Sequence, residues 1–427
     1  MKVLVVGHGA REHAIVAALS RSPQEPRIFA YMATPNPGIV RLAEDWAEGP
    51  LADIAALAGY ARRVQPELIV FGPETPLAVG AVDVLEEEGF PCVGPRRALA
   101  RIEADKAFMR EFMTRYIGRG YPRWWTFSQL RALEDHLRSH PASVLKPIGL
   151  TGGKGVRVLG RQLSDLEEAL DYARSFIERD GKILVEERLE GEEFSLMVFT
   201  DGKRCLPMPL VQDYKYAHEG DTGPMTGGMG SFSCADHLLP FLSPTDFEIA
   251  LGIVEETVAK LGKATGIPYR GILYGQFIRS PEGPKVIEFN VRFGDPEAMN
   301  VLAVLVSDPV DVFASIAAGD LVREVEFARE ATVCKYLVPR GYPEAPEVGR
   351  SFTLPLEELK AAGIEVYFAS VREEDGRYLT TASRSVALLS RGPTPAEAKA
   401  RLESILEETC PPELYYRRDI PRLSSIA

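Results

Sequence analysis

A polar pattern near residue 290 carries the most chemistry in this 427-residue sequence. Alternate residues of a β-strand share one face, so Glu288, Asn290 and Arg292 would lie on the same side of a strand. Burying such groups is costly unless each finds a partner. Carboxylate and amide oxygens suit Mg²⁺ bridging phosphates, and a guanidinium suits a transferring phosphoryl group or an acyl phosphate. Gln276, on the neighbouring strand, adds a candidate oxygen ligand, and a buried network of salt bridges and hydrogen bonds is the alternative.

A glycine-rich loop flanked by lysines is the second feature. Residues 146–156 read KPIGLTGGKGV, with four glycines in the run. Such a loop folds closely over phosphate oxygens and offers them backbone N–H groups. Lys146 and Lys154 would meet one polyphosphate from two sides. The spacing differs from that of a Walker A loop, and a flexible hairpin turn is the alternative.

Two further turns carry a weaker signal. Gly7–Glu12 follows a strand and opens a helix, which is the context of a phosphate cradle. It lacks the third glycine of a dinucleotide fingerprint and the acidic residue that would hold a ribose, so an anion or substrate site or a simple tight turn is favoured over a dehydrogenase site. The acidic run 186–193 ends a strand, where it would bind an adenine edge and ribose hydroxyls or form a solvated turn.

The segment 221–231 contains four glycines and two methionines. It is too glycine-rich for a helix or a central strand, so we expect a mobile loop. Asp213 and Lys215 precede it, and Thr222 lies within it. An aspartate would recognise a substrate ammonium and backbone amides an anion, but the residues alone define only a lid without an assigned purpose.

Three successive regions must position these groups. Strand and helix signals alternate over the first hundred or so residues and predict a parallel α/β sheet. Strands on both sides of the glycine loop, a helix opened by a Ser164/Glu167 capping box and a hairpin across Glu282-Gly283 predict a mixed second region. The fold class is therefore α/β and α+β multidomain. We expect an N-terminal domain at 1–101, a central domain at 102–325 with a lid at about 117–190, and a small C-terminal α+β domain at 326–427.

Composition limits the function further. The 49 basic and 61 acidic side chains give a net charge of −12, which argues against a nucleic-acid surface. No apolar run is long enough to span a membrane, and the N-terminus does not look like a signal peptide. Five separated cysteines without a C-x-x-C motif suit a reduced, cytoplasmic location.

Together these motifs resemble the ATP-grasp superfamily and, within it, the phosphoribosylamine–glycine ligase (glycinamide ribonucleotide synthetase) family. The resemblance covers essentially the whole chain, and YRRDI at 416–420 is similar to the closing motif of that family. Its other carriers are GHGAREHA at 7–14, GPETPLAVGAVD at 72–83, DKAF at 105–108, KPIGLTGGKGV at 146–156, EERLEGEEFS at 186–195, QDYK at 212–215, DTGPMTGGMGSFS at 221–233 and VIEFNVRFGDPE at 286–297.

The resemblance implies a reaction. Glycine would be joined to 5-phosphoribosylamine through a glycyl phosphate, with ATP and Mg²⁺ (or Mn²⁺) as cofactors, in the second step of de novo purine biosynthesis. The products would be glycinamide ribonucleotide, ADP and phosphate. We expect a monomer that binds these small molecules and neither nucleic acid nor membrane.

The resemblance also implies a role for each matching residue. Arg292, Lys154 and Asp213 would be catalytic, and Gln276, Glu288 and Asn290 would hold the metal. ATP would contact Lys106, Lys146, Gly152, Gly153, Lys154, Glu186, Glu187, Leu189 and Glu193. The other substrates would contact Gly9, Glu12, Asp213, Lys215, Thr222, Gly228, Met229, Gly230, Arg292, Gly294, Asp295 and Glu297.

Two rival functions follow from the same residues. Another ATP-grasp ligase or carboxylase would share the lysine loop and Glu288 with Asn290, but would have no reason to carry DTGPMTGGMG. A catalytically silent nucleotide-binding or scaffold protein would have no need to keep both lysines together with Glu288, Asn290 and Arg292.

Overall fold

Residues 1–93 build a parallel five-stranded sheet with helices packed against it, in a computed structural model that describes residues 1–150 and 155–422. Val3–Val6 is fully buried, as expected for a parallel strand covered on both faces. Two short helices, Glu74–Val79 and Ala81–Glu87, are separated by Gly80, which adopts φ 94°. The strands are β1 (Lys2–Val6), β2 (Arg27–Met32), β3 (Asp45–Glu48), β4 (Leu68–Phe71) and β5 (Cys92–Val93), in the order β3-β2-β1-β4-β5, and the helices are α1 (Ala10–Ser20), α2 (Pro37–Leu42), α3 (Ile54–Val64), α4 (Glu74–Val79) and α5 (Ala81–Glu87).

The region predicted as a lid contains a second sheet, which is antiparallel, is called the lid sheet below and has a hydrophobic cluster of its own. The Ser164/Glu167 capping box is wrong, because Asp165 caps the helix and Ser164 instead donates to Glu168. Asp105 separates two further helices, since the first ends at Ala104 and the side chain of Asp105 caps the next, which begins at Lys106. This region contains α6 (Arg97–Ala104), α7 (Lys106–Phe112), a π-helical turn (Met113–Ile117), β6 (Trp124–Phe127), α8 (Leu130–Ser139), β7 (Ser143–Pro147), β8 (Arg157–Val158), α9 (Leu166–Asp180) and β9 (Ile183–Glu187), with sheet order β6-β9-β7-β8.

A third sheet carries the polar pattern near residue 290. The predicted hairpin across Glu282-Gly283 is confirmed, with its register shifted between Gln276 and Phe277. The elements are β10 (Glu192–Thr200), β11 (Cys205–Pro207), β12 (Gln212–His218), β13 (Thr222–Ser233), α10 (Pro244–Thr265), β14 (Gly271–Ser280), β15 (Gly283–Asn290), α11 (Glu297–Ala303) and α12 (Pro309–Ala318), and the sheet runs β11-β10-β14-β15.

The expectation of a mobile loop at 221–231 is wrong, because the residues from Thr222 onward belong to the twelve-residue strand β13. This strand lies inside a sheet and pairs with a neighbour on each side. Close packing against β16 explains the glycine at position 230, because a Cβ there would lie 2.4 Å from the carbonyl oxygen of Cys334. The glycine content was misleading as evidence for a loop, because a close approach between strands also requires glycine.

Strands from the last part of the chain complete the sheet that contains β12 and β13. This sheet therefore has strands on both sides of residue 326, the expected start of the C-terminal domain. Its order is β12-β13-β16-β21-β18, and β22 pairs with the far end of β16. Among the residues described, no helix is long and apolar enough to cross a membrane. The remaining elements are β16 (Ala331–Pro339), β17 (Ser351–Phe352), α13 (Leu356–Ala361), β18 (Glu365–Phe368), β19 (Val371–Glu374), β20 (Arg377–Thr380), β21 (Val386–Gly392), α14 (Pro395–Thr409) and β22 (Leu414–Tyr415).

Candidate active site

Two buried lysines lie where the lid sheet meets the third sheet. Lys146, on β7, places its Nζ 2.7 Å from Oε2 of Glu186 and 3.3 Å from the carbonyl oxygen of Ile287. Lys106 begins α7 and donates to the carbonyl oxygen of Gly149, 3.0 Å away. Burial lowers the pKa of Lys106, although nearby carboxylates raise it, and the charge of Lys146 lowers it further. An anion between these ammonium groups would relieve both effects.

The predicted loop residues Gly152, Gly153 and Lys154 lie outside the described part of the chain. The strands that flank the loop are described, and β7 pairs with β8 in register Val144 to Val158. These strands place both ends of the loop beside Lys146.

Glu186 is paired more closely than the sequence indicates. Its Oε1 accepts a 2.6 Å hydrogen bond from Nε of Arg110, whose side chain is fully buried. Arg110 also donates to the carbonyl oxygens of Val286 and Ile287, at 3.0 and 2.7 Å. Burial raises the pKa of the Glu186 carboxyl, but the positive charges of Arg110 and Lys146 hold it below its usual value. The carboxylate therefore fixes Lys146 and ties the lid sheet to β15.

The other residues of the acidic run point in different directions. Glu187 accepts from the backbone N–H and the Nε of Arg123, at 2.9 and 2.7 Å. Leu189 follows directly after β9 and is half-buried. Glu193, on β10 of the third sheet, accepts from Lys215 of β12 at 3.0 Å and from the amide of Gln276 on β14 at 3.1 Å.

The three predicted metal ligands lie together on the β14–β15 hairpin. Gln276 pairs with Glu288 across it, and Asn290 lies 3.5 Å from Glu288 between Nδ2 and Oε1. The amide nitrogen of Gln276 donates to Glu193 and to Asp213, at 3.1 and 3.3 Å. Its carbonyl oxygen accepts from a tyrosine hydroxyl, that of Tyr274. Gln276 thus has partners on every side within the protein.

Glu288 stays ionised in spite of its burial. Burial raises the pKa of this carboxyl, yet neighbouring cations hold it below its usual value: Lys215, Lys106, Lys146 and Arg292. In the described ranges there is no group of three or more His, Cys, Asp and Glu side chains that would hold a metal by itself. One carboxylate with amide oxygens among several cations fits a hard divalent ion that takes its other ligands from phosphate oxygens.

Arg292 follows the end of β15 and is held by two carboxylates that sequence reasoning missed. Its Nη2 lies 3.1 Å from Oε1 of Glu103 and donates to Oδ1 of Asn290 at 3.0 Å, while Nε donates to Glu74 at 3.3 Å. Burial raises the pKa of Glu103 to about 7, and the charge of Arg292 opposes that rise. Glu74 stands in the 72–83 motif and Glu103 two residues before the DKAF motif, so proximity to motifs is the only sequence signal for them.

Asp213 and Lys215 project from β12, and Asp213 forms a second pair of buried acids with Glu297. Oδ2 of Asp213 is 3.8 Å from Nζ of Lys215. Burial raises the pKa of Asp213. Glu297, at the start of α11, accepts a 2.8 Å hydrogen bond from Tyr274, and burial together with Asp213 raises its pKa to about 7. A cation, such as a substrate ammonium, would stabilise this acidic corner.

The glycine segment of β13 is fixed by an arginine from the C-terminal region. Arg384 donates to the carbonyl oxygens of Gly227 and Gly228, at 2.9 and 3.0 Å, and to Asp295 at 2.9 Å. No local motif surrounds Arg384, so sequence reasoning missed it. Met229 and Gly230 are buried within β13, and Gly294 has room for no side chain, since a Cβ there would lie 2.4 Å from Glu297.

The N-terminal turn is connected to the same region. The N–H of Gly9 donates to Oε2 of Glu12 at 2.5 Å, so this carboxylate closes the turn before α1. Arg11 bonds to Oε1 of Glu12 and to the carbonyl oxygen of Phe293, at 2.6 and 3.3 Å. Among the predicted site residues that the structure describes, Thr222 lies apart, because it is exposed at the tip of the β12–β13 hairpin and donates to the carbonyl oxygen of Glu219.

Two buried lysines at the junction of a small antiparallel sheet with a hairpin that carries Glu and Asn, next to Arg292, form the arrangement expected of an ATP-grasp enzyme, a ligase that activates a carboxylate. Comparison with protein families agrees. The phosphoribosylglycinamide synthetase models match along the chain: the N domain at residues 1–103, the ATP-grasp (A) domain at 104–298 and the C domain at 332–422.

Individual relatives show the same likeness. The chain is 47% identical to the phosphoribosylamine–glycine ligase of Methanocella arvoryzae, over 98% of this chain and 96% of that one. It is 46% identical to the enzyme of the same name from Methanopyrus kandleri, over 100% and 97% of the two chains. The crystal structure of phosphoribosylamine–glycine ligase from Thermotoga maritima superposes with a TM-score of 0.82 at 28% identity, covering 98% of this chain and all of that one. The chain belongs to the phosphoribosylglycinamide synthetase family.

Proposed function

We propose that this protein catalyses the ATP-dependent ligation of glycine to 5-phosphoribosylamine, giving glycinamide ribonucleotide, ADP and phosphate in the second step of de novo purine biosynthesis. The observation that carries the proposal is the meeting of three groups at the end of β15. Glu288, Asn290 and Arg292 lie there among the lysines of α7, β7 and β12, in a chain that belongs to this family. ATP is the nucleotide that an ATP-grasp ligase uses.

ATP would lie between the lid sheet and the third sheet. Lys106, Lys146 and the loop that carries Gly152, Gly153 and Lys154 would face its phosphates. The strand end at 186–189 would receive the adenine, with the backbone in the main role because the Glu186 carboxylate is already paired. The charge on Lys215 supports a ribose role for Glu193, since it keeps that carboxylate within reach of the cleft.

Mg²⁺, or Mn²⁺ in its place, would be held by Glu288 and Asn290. When bound, it would neutralise phosphate charge and polarise the transferring phosphoryl group. Gln276 would join them by turning its amide oxygen away from Tyr274. The coexistence of an ionised Glu288 with four nearby cations supports this role, because the carboxylate is available without a proton to displace.

The reaction would proceed in two transfers. A carboxylate oxygen of glycine attacks the γ-phosphorus, and the bond to ADP breaks, which gives glycyl phosphate. The amine nitrogen of phosphoribosylamine then attacks the carbonyl carbon, phosphate leaves and the nitrogen loses a proton. Arg292 and Lys154 would stabilise the charge that builds up on the phosphoryl oxygens, and Asp213 would hold the glycine ammonium. Positioning and charge neutralisation supply most of the catalysis in such a scheme.

The second substrate would lie where β12, β13 and the turn after β1 converge. Lys215, the backbone at 228–230 and the segment from Gly294 to Glu297 line this corner. Gly9 and Glu12 approach it through the bond of Arg11 to Phe293. Thr222 would reach it only if the hairpin tip closed over the substrates.

The test is ADP formation by the purified chain with ATP, Mg²⁺, glycine and freshly made phosphoribosylamine. We expect ADP release to depend on both glycine and the amine, and alanine, bicarbonate and aspartate to replace glycine poorly. Equal ADP release with and without the two substrates would contradict the proposal. Stimulation by bicarbonate in place of glycine would instead identify a carboxylase.

The proposal includes a cytoplasmic location and a monomeric state, in which one chain holds the complete site. The residues placed at the site come from all three parts of one chain, which supports the monomer. Light scattering coupled to size-exclusion chromatography would give a mass near 47.0 kDa for a monomer.

A further inference from the structure

The closing segment of the chain contains a buried arginine that the proposed reaction does not use. Arg417 has no exposed side-chain surface. Its Nε and Nη2 bind the two oxygens of Asp419 at 2.9 and 2.6 Å, and its Nη1 donates to Oδ1 of Asp221 at 2.9 Å. Nη1 also donates to the carbonyl oxygen of Tyr216 at 2.9 Å. All three nitrogens of the planar guanidinium therefore donate, and the pairing with Asp419 is bidentate.

These contacts fall on the part of the β12–β13 hairpin where the strand pairing is irregular. The pairing of β12 with β13 shifts register on both sides of Tyr216. Asp221 lies at the turn with φ 54°, and the N–H of Gly220 donates to Asp419 at 3.0 Å. The regular ladder of hydrogen bonds is interrupted there, so bonds from outside the hairpin decide how its two strands lie.

Arg417 also packs behind the residues that enter the site. Its guanidinium lies 5.4 Å from the ring centre of Tyr214, which is buried. Side chains alternate along a strand, so Asp213 and Lys215 point away from the face that Tyr214 occupies. A shift of Tyr214 would move both of them.

The closing segment is anchored on its other side. Lys335 on β16 is fully buried and donates to the carbonyl oxygens of Arg417 and Arg418, at 3.1 and 3.0 Å, and to Glu403. Lys335 pairs with Gly230 of β13 across the sheet. The segment thus links the centre of the sheet to the irregular part of the hairpin.

We propose that Arg417 is a positioning residue, which sets the register of the β12–β13 hairpin and thereby places Asp213 and Lys215 in the substrate corner. This inference rests on the proposed function for the role of those two residues. It assigns a purpose to the closing YRRDI segment, whose arginine bonds to Tyr216 and Asp221 of the hairpin.

Kinetics of Arg417→Gln and Arg417→Lys test the proposal. We expect the glutamine variant to raise the KM for glycine, for phosphoribosylamine or for both by on the order of tenfold or more, because small displacements of binding groups are costly. The lysine variant should rescue part of the loss, since it keeps the charge but not the fork. Binding of a fluorescent N-methylanthraniloyl ATP should stay within about twofold, because the lysines that face ATP lie on other elements. Equal weakening of both kinds of binding, or unchanged KM values, would overturn the proposal.

Hydrogen exchange provides a readout that does not need turnover. In Arg417→Gln, amides of 212–233 should exchange faster, while those of β14 and β15 should not change. Arg391→Gln is the matched control, since Arg391 pairs with Glu330 and Glu365 on the far side of the same sheet. Asp221→Asn, which removes one partner and leaves Arg417 buried, should give a smaller change of the same kind. Unchanged exchange in the hairpin would overturn the positioning role of Arg417, whether or not the wild-type chain shows glycine-dependent turnover. Absence of glycine-dependent turnover in the wild type, with faster exchange in the variant, would overturn only the proposed function.

Discussion

Arg292 and Glu103 lie face to face, with 3.1 Å between Nη2 and Oε1 and only 16% and 6% of their side chains exposed. The carboxylate holds the guanidinium at the end of β15 before any phosphate arrives. The pKa of Glu103, raised by burial to about 7, shows that this hold comes at a cost.

That cost predicts a pH dependence of stability. The pKa of Glu103 rises from an ordinary 4.5 to about 7 in the folded chain, so the folded state binds more protons between these values. Stability contributed by this group is therefore complete below pH 4.5 and falls as the pH rises towards 7. Glu103→Gln should remove that fall, and the melting temperature of the wild type should drop by about 2–4 °C more than that of the variant between pH 5 and pH 8. Glu111→Gln, exposed on α7, should follow the wild type, and parallel curves for all three proteins would contradict the prediction.

Glu288→Gln should abolish Mg²⁺-dependent turnover while leaving the fold intact. The variant keeps the size of the side chain but removes the one carboxylate among the three predicted metal ligands, so we expect ADP formation to fall by on the order of a hundredfold or more. Glu282→Gln is the control, because it lies on the same hairpin with 77% of its side chain exposed. Circular dichroism verifies folding, and near-normal turnover of Glu288→Gln would remove Glu288 from the metal site.

Glu186→Gln should destabilise the junction of the lid with β15. Arg110 and Lys146 would remain buried without their shared carboxylate, and breaking a buried pair in this way costs about 3–5 kcal/mol. Urea unfolding followed by tryptophan fluorescence is suited to this measurement, because Trp124 and Trp125 lie on β6 beside β9. The exposed Glu190→Gln should change stability by no more than about 0.5 kcal/mol. A similar small effect from both substitutions would show that the Glu186 pair contributes little.

Gly230→Ala and Gly59→Ala should have opposite effects on stability. A Cβ on Gly230 meets the carbonyl oxygen of Cys334 at 2.4 Å, so the strands would have to separate. We expect a loss of about 1–3 kcal/mol from such overpacking. Gly59 lies within α3 with no heavy atom within 4 Å of a Cβ, so alanine should stabilise that helix by about 0.5–1 kcal/mol. Thermal unfolding of both variants checks the pair, and loss of stability in both would contradict it.

Groups that share a local pattern were predictable from the sequence. Glu288 and Asn290 alternate at the end of β15 and Arg292 lies two residues beyond it, and Lys146 precedes a glycine loop, so spacing alone indicated an anion and cation site. These predictions depend on the alternation of side chains along a strand and on the backbone freedom of glycine. Both properties can be read from a few consecutive residues.

Groups that meet only through the fold were not predictable. Arg384 lies 89 residues from its partner Asp295 in the sequence. Glu103 lies 188 residues from Val291, from whose backbone N–H it accepts a hydrogen bond. Strand β13 was mistaken for a loop because the groups that exclude a side chain at its glycines lie far away in sequence: Gly230 packs against Cys334 on β16 and Gly228 against Pro296. Burial of Glu186 between Arg110 and Lys146 likewise follows from the joining of two sheets, which no single segment encodes.

The sheet that spans residue 326 has a consequence for any shortened form of this protein. A chain cut before β16 would leave β13 with an unpaired edge from Gly230 to Ser233, where β16 normally supplies the hydrogen bonds. Open edges of this kind recruit other strands and aggregate. The ATP-grasp part should therefore be insoluble when expressed by itself, and a separately supplied C-terminal fragment should restore its solubility by adding the missing strand.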